Sequence, residues 1–221
     1  MHYELQGEGE PLALIVGLGT DISEWDGIIH PLAQRYRVIA FDNRGAGRTD
    51  KPDQPYSIEQ MADDTEGLLR ALAVERAHML GVSMGGRIAL ALALTHPQCV
   101  NKLVLVSTSA TGARRSWWVR TLREVSSGLL FRGKHPQPRY AFRRQAEASS
   151  AFDCAGRLGK IHVPTLILHG RRDRTVPYAQ AEELHAGIAG SKLLAFDGGH
   201  IFFLFRERER FFDAVEDYLS R

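Results

Sequence analysis

Cysteine is scarce: Cys99 and Cys154 are the only two in 221 residues, without paired spacing or neighbouring metal-ligand residues. Neither a disulfide framework nor a zinc site is indicated, and two reduced, packed thiols are expected. Long apolar runs are missing too, since no stretch approaches the ~18 apolar residues that span a bilayer. The opening MHYELQGEGEPLALIVG holds a strand-length apolar run but no basic segment, h-region or small-residue cleavage site. A soluble, cytoplasmic chain without a transmembrane segment is therefore expected. Charge of one sign is also lacking: 28 basic against 26 acidic residues leave +2, too balanced for a nucleic-acid binder or a polybasic membrane anchor. There is no internal repeat, low-complexity tract or flexible linker. With 44% hydrophobic and 24% charged residues, the composition is that of a single globular domain over 1–221.

What is present is an alternation of apolar β-rich runs with helical periodicity, the arrangement that builds a parallel sheet covered on both faces. Leu12 to Val16, Val38 to Phe41, Leu103 to Val106 and Thr165 to Leu168 read as continuous apolar, buried strands. Ala77 to Leu80 and Lys192 to Phe196 are weaker runs of the same kind. Helices are expected over Ser57 to Ala73, over Met84 to Thr95, and over Phe202 to Leu219, the last with Phe211, Phe212, Val215 and Leu219 as its apolar stripe. From about 110 to 160 the rhythm breaks, and Trp117, Trp118, Pro136 and Pro138 stand among many arginines. That segment reads as an insertion.

The strongest local signal is Gly81-Val82-Ser83-Met84-Gly85-Gly86, a G-x-S-x-G string after a strand and opening a helix. A serine at such a turn takes a strained conformation, and the flanking residues must be small so that strand and helix approach closely. The string taken alone also fits an ordinary Gly-rich turn. A serine hydroxyl is a poor nucleophile without a base, and the base needs an orienting acid. Asp173 and His200 follow the runs Thr165 to Leu168 and Lys192 to Phe196, at carboxyl ends, where open α/β sheets place their sites. Asp197 and Asp153 are rival acids. Acyl transfer further needs donors for a developing oxyanion. The amide of Met84, at a helix start, is one candidate, and that of Leu18, in Gly17-Leu18-Gly19-Thr20, is the other. Those glycines would also suit a phosphate loop, but no G-x-x-x-x-G-K-[ST] or G-x-G-x-x-G string follows.

Together these residues resemble the α/β-hydrolase superfamily, in its serine esterase and lactonase-like branch, over nearly the whole chain. The string Phe41-Asp42-Asn43-Arg44-Gly45-Ala46-Gly47-Arg48-Thr49 is similar to the family's D-x-R-G-x-G-x-[ST] loop, and Val163 to Gly170 to its approach to the acid. The resemblance implies a mostly parallel sheet flanked by helices, with the insertion as a short helical cap. It implies Ser83, Asp173 and His200 as catalytic residues, Leu18 and Met84 as the oxyanion hole, and structural roles for Asp42 and Arg44. It implies no cofactor and no metal, and a small-molecule ester as substrate. Lactonase, thioesterase, C–C bond hydrolase or perhydrolase activity on the same residues, or a ligand receptor that does not turn over, are the alternatives. Three departures stand out: Val16 replaces the histidine usual before the oxyanion loop, the family's first strand is absent so that Tyr3 to Gln6 becomes a frayed edge, and the cap is shortened, which implies a more open pocket.

The insertion is also electrically distinct. From 111 to 160, nine arginines and two lysines face only Glu124, Glu147 and Asp153, a net of +8 against −6 for the rest of the chain. A solvated cap face is the expected reading, with arginine stems covering apolar surface and Trp117, Trp118, Leu122 and Leu129 packed toward the sheet. Steering of anionic esters by that positive field is the alternative.

Overall fold

The computed structural model describes residues 1–112, 134, 135 and 137–221. Among them, seven strands form one sheet: β1 (Tyr3–Gln6), β2 (Glu10–Ile15), β3 (Tyr36–Phe41), β4 (Ala77–Val82), β5 (Val100–Val106), β6 (Thr165–Gly170) and β7 (Lys192–Phe196). Their spatial order is β1-β3-β2-β4-β5-β6-β7. Only β1 runs antiparallel, paired to β3 from Tyr3 opposite Phe41 to Gln6 opposite Val38, and the other neighbours are parallel. The edge expected to fray is thus a paired strand.

Side chains of successive strand residues leave by opposite faces, and here both faces are apolar. Ala13, Ile15, Ala77 and Met79 meet Met61 and Leu69 of α2 (Ile58–Ala71), Ile88 and Leu92 of α3 (Met84–Thr95) and Leu184 of α5 (Ala179–Gly187). Leu12, Leu14, Leu80 and Val82 meet Ile28 and Leu32 of α1 (Asp26–Leu32) and Phe211, Val215 and Leu219 of α6 (Arg208–Leu219). Burying a side chain of this size is worth about 1.5–3 kcal/mol relative to exposure, so the two layers together hold the strands' carboxyl ends in a fixed arrangement. Helix α2 begins where its cap allows: the Ser57 hydroxyl oxygen accepts the Gln60 amide at 3.0 Å, satisfying a donor that the helix start leaves open.

The chain runs from β2 outward to β3, then crosses back to place β4 on the other side of β2. The carboxyl ends of β2 and β4 therefore flank the point where strand order reverses, the crevice in which open α/β sheets bind ligands.

The tail departs from the expected single helix. A short 3-10 turn at Phe202–Leu204 ends at Phe205, and α6 starts only at Arg208. Phe202, Phe203 and Phe211 pack together with Phe196, and this cluster turns the chain before the helix begins. In the insertion, α4 (Arg139–Ala151) is a helix. The expected packing of Trp117, Trp118, Leu122 and Leu129 falls on 113–133, outside the described residues, as do Pro136 and the lid's reach over the pocket. Of the nine arginines, Arg144 pairs with Asp53 and Glu147, and Arg157 with Glu59, on the surface. Cys99 and Cys154 are free and buried, and burial pushes their thiols up to about 11 and about 12, as packed, unreactive thiols require. No helix among the described residues is long and apolar enough to cross a membrane.

Candidate active site

Ser83 sits between the end of β4 and the start of α3 with φ 56° and ψ −115°, a region that L-residues occupy only when the surroundings impose it. The imposition comes from contact distance. A Cβ on Gly81 would lie 2.5 Å from the Gly85 carbonyl oxygen, and one on Gly85 would collide with the Ile15 carbonyl oxygen. Strand β2, strand β4 and helix α3 meet too closely for any side chain there, and the turn that joins them must be this tight. The backbone is then held from outside: the Thr108 hydroxyl donates to the Ser83 carbonyl oxygen at 2.7 Å, and the Ser83 amide donates to the Val106 carbonyl oxygen at 2.9 Å.

The three residues that sequence reasoning selected come together. His200 Nε2 lies 3.0 Å from Ser83 Oγ, and His200 Nδ1 lies 2.7 Å from Asp173 Oδ2. Asp173 is buried, and its other oxygen, Oδ1, accepts the amides of Thr175 at 2.7 Å and Val176 at 2.9 Å. Burial opposes ionisation of this carboxyl, but hydrogen bonds from His169, His200 and the Val176 amide outweigh it and hold its pKa well below the ordinary carboxylate value. Asp173 is thus an anion against His200 throughout the neutral range. A carboxylate accepts only, so Nδ1 carries the proton and a neutral ring presents its Nε2 lone pair to the serine hydroxyl. The rival acids lie elsewhere. Asp197 is exposed, and Asp153 accepts the Ala155 amide at 3.0 Å.

The loop after β2 lies alongside. A Cβ on Gly17 would come 3.7 Å from Ser83 Cβ, which brings the start of the loop that carries Leu18 against the serine, and Met84 opens α3, where helix amides have no intrahelical acceptor. Asp42 and Arg44 are occupied in the scaffold: Asp42 accepts the Ile22 and Arg48 amides at 2.9 and 2.8 Å, and Arg44 grips Asp64 through two nitrogens.

Sequence reasoning missed three supports. Ser107, at φ 49°, donates its hydroxyl to the His200 carbonyl oxygen at 2.8 Å; the Ser107-Thr108-Ser109 run at the carboxyl end of a strand was the signal available. His169 is buried with Nε2 2.9 Å from the Val176 carbonyl oxygen and 3.4 Å from Asp173 Oδ2, four residues before the acid on the same strand exit. Gln145 of α4 is wholly buried, and no local pattern marks it. Among the described residues, no group of three or more His, Cys, Asp or Glu is gathered to hold a metal. A cavity of about 760 Å³ opens next to the acid loop, walled by Arg87, Ser109, Thr111, Thr175, Val176 and Gln180 among others. Ser83 and His200 are not in its wall; it adjoins Asp173 through the Thr175–Val176 turn, whose amides that carboxylate accepts.

Comparison with known proteins agrees with this fold. The chain is 33% identical over 239 residues to RutD of Serratia proteamaculans, named for a proposed carbamate hydrolase activity, covering 90% of this chain and 89% of that protein. Among solved structures, the enol-lactonase of Burkholderia xenovorans superposes with a TM-score of 0.90 at 28% identity, covering 100% of this chain and 96% of that one. An esterase of Exiguobacterium antarcticum superposes with a TM-score of 0.87 at 28% identity, covering 100% and 95%. A family model described as TAP-like protein matches residues 144–221. The model of the alpha/beta hydrolase fold matches residues 10–130, and the chain belongs to that family of hydrolases.

Proposed function

We propose that the protein is a serine hydrolase that cleaves carboxylic esters through an acyl-enzyme. The observation that carries this reading is the unbroken hydrogen-bond chain from Ser83 Oγ through His200 to the buried anion Asp173, ending on a serine forced into a strained turn. His200 takes the Ser83 proton as the oxygen attacks the substrate carbonyl. The imidazolium so formed faces the Asp173 carboxylate, which stabilises it and keeps the ring oriented. The amides of Leu18 and Met84 hold the oxyanion, and each such donor is worth about 2.7–4 kcal/mol in the transition state. His200 then returns the proton to the leaving alcohol. Water, deprotonated by the same imidazole, releases the acid and regenerates Ser83. None of these steps calls on a cofactor.

Lactones and carbamates present the same carbonyl to the same nucleophile, and the names of the relatives favour keeping both as second readings. A panel of p-nitrophenyl esters of increasing acyl length, a lactone and an aryl carbamate, assayed side by side, decides among them. The expected result is the highest kcat/KM on an ester. A lactone or carbamate turned over at least tenfold faster than every ester would replace the ester reading, and no turnover of any would leave a binding protein.

The pH profile follows from the same roles. A histidine base works only when neutral, and Asp173 is held ionised well below the ordinary carboxylate range. kcat/KM on the best ester is therefore expected to rise with pH as a single proton leaves the base, with no second limb from the acid. A flat profile from pH 5 to 9 for the chemical step would remove His200 from the mechanism.

A further inference from the structure

The oxyanion loop Gly17–Thr20 lacks the histidine that usually precedes it, Val16 standing there instead. Its support comes from two other directions. On the sheet side, Trp25 Nε1 donates to Thr20 Oγ1 at 3.2 Å, and that hydroxyl donates to the Gly17 carbonyl oxygen, also at 3.2 Å. In a trans peptide the carbonyl and the following N–H point in opposite directions. With the Gly17 carbonyl turned to Thr20, the Leu18 amide is turned the other way. Asn43 Nδ2 holds the preceding carbonyl, that of Val16, at 3.0 Å.

On the cap side, one residue closes the loop. Gln145 Oε1 accepts the Gly19 amide at 3.2 Å and Gln137 Nε2 at 2.9 Å, while Gln145 Nε2 donates to the Arg44 carbonyl oxygen at 2.7 Å. Every bond of this amide has one direction: Gly19 offers only a donor and Arg44 only an acceptor, which fixes which end of the side chain faces which loop. Phe142, three residues earlier and hence on the same side of the helix, packs so tightly over Gly19 that a Cβ there would come 2.7 Å from its ring. Gly19 sits at φ 76°, a conformation its neighbours must hold in place.

We propose that Gln145 is a positioning residue for the oxyanion loop, through which the insertion helix sets the aim of the Leu18 amide. This rests on the functional reading above. Gln145 touches no reacting atom; it takes the Gly19 amide, and so determines how the residue before it faces Ser83. Loss of that bond lets the loop rotate and weakens transition-state binding more than ground-state binding.

The test is steady-state hydrolysis of p-nitrophenyl acetate, with labelling by a fluorophosphonate, in wild type and three variants. Gln145→Met fills the space without polar ends and is expected to lower kcat and the labelling rate by about tenfold to a hundredfold, the cost of a small misplacement, with KM within about twofold. Gln145→Glu keeps an oxygen for the Gly19 amide while losing the donor to Arg44, and is expected to recover most of kcat without recovering stability. Tyr140→Phe removes a bond from the same helix to the Lys51 carbonyl oxygen, at 2.7 Å and away from the loop, and is expected to lower the melting temperature with kcat unchanged. Should Gln145→Met fail to fold, Gln145→Asn, one methylene short of the Gly19 amide, takes its place with the same expected fall in kcat and labelling against Tyr140→Phe, and no fall in Gln145→Asn would overturn the inference. Equal kcat losses in all folded variants, or none in Gln145→Met, would overturn the inference alone. A wild-type chain without Ser83-dependent turnover would overturn the functional reading, and this inference with it.

Discussion

Ser83→Ala is expected to abolish fluorophosphonate labelling and to lower ester kcat by about 10⁴-fold or more, because a nucleophile and its base act as one unit and neither works alone. The fold should survive. Alanine adds nothing to the crowded turn, and the residue's backbone bonds to Val106 and Thr108 do not involve the hydroxyl. Two measurements make the result interpretable: unchanged circular dichroism, and kcat on the best ester of the panel. Residual labelling in the alanine variant would place the nucleophile elsewhere.

The second large effect separates the acids. Asp173→Asn is expected to cost about 10⁴-fold in kcat, the size seen when the orienting carboxylate of such a chain is neutralised, while Asp197→Asn stays within about twofold. An asparagine presenting its amide nitrogen to His200 Nδ1 would require the ring to turn its own proton toward Ser83, the wrong tautomer for a base. The same substitution has a stability signature. Asp173 has a depressed pKa in the folded protein, so its contribution is present above the ordinary carboxylate value of 3.8 and is withdrawn as pH falls below it. Urea midpoints measured at pH 7 and pH 3.5 should therefore fall less between the two pH values in Asp173→Asn than in wild type. A larger kcat loss at position 197 would mean the wrong acid.

The sheet was legible because buried parallel strands are written as apolar runs, and the expected run Lys192 to Phe196 coincides with β7. Ser83, Asp173 and His200 were legible because each lies just beyond a strand's carboxyl end, a position that short-range pattern reveals. Other elements left weaker marks. Helix α4 buries Ala141, Gln145, Ala148 and Ser149, a face too small and polar to register as amphipathic. Helix α5 buries only Ala181 and Leu184, and α1 is seven residues long with Pro31 inside it. Gln145 and Ser107 were out of reach for another reason. Their partners stand 126 and 93 residues away, and only the folded sheet makes them neighbours. Phe205, 65% exposed in the gap before α6, continues the apolar periodicity of the tail and so concealed the break.

The sheet's order gives the two ends of the proton-transfer chain unequal footing. Strand β4, which delivers Ser83, is bonded on both sides, whereas β7, which delivers His200, is bonded among the described residues to β6 alone. Three of the five β7 side chains are half-buried and Lys192 is exposed. Segments of this kind open locally at free energies below that of global unfolding. Ser83 is therefore expected to belong to the last part of the molecule to come apart and His200 to one of the first. On the proposed function, hydrolysis is then expected to be interrupted and restored by small excursions of the edge that leave the central strands and their hydrophobic layers intact.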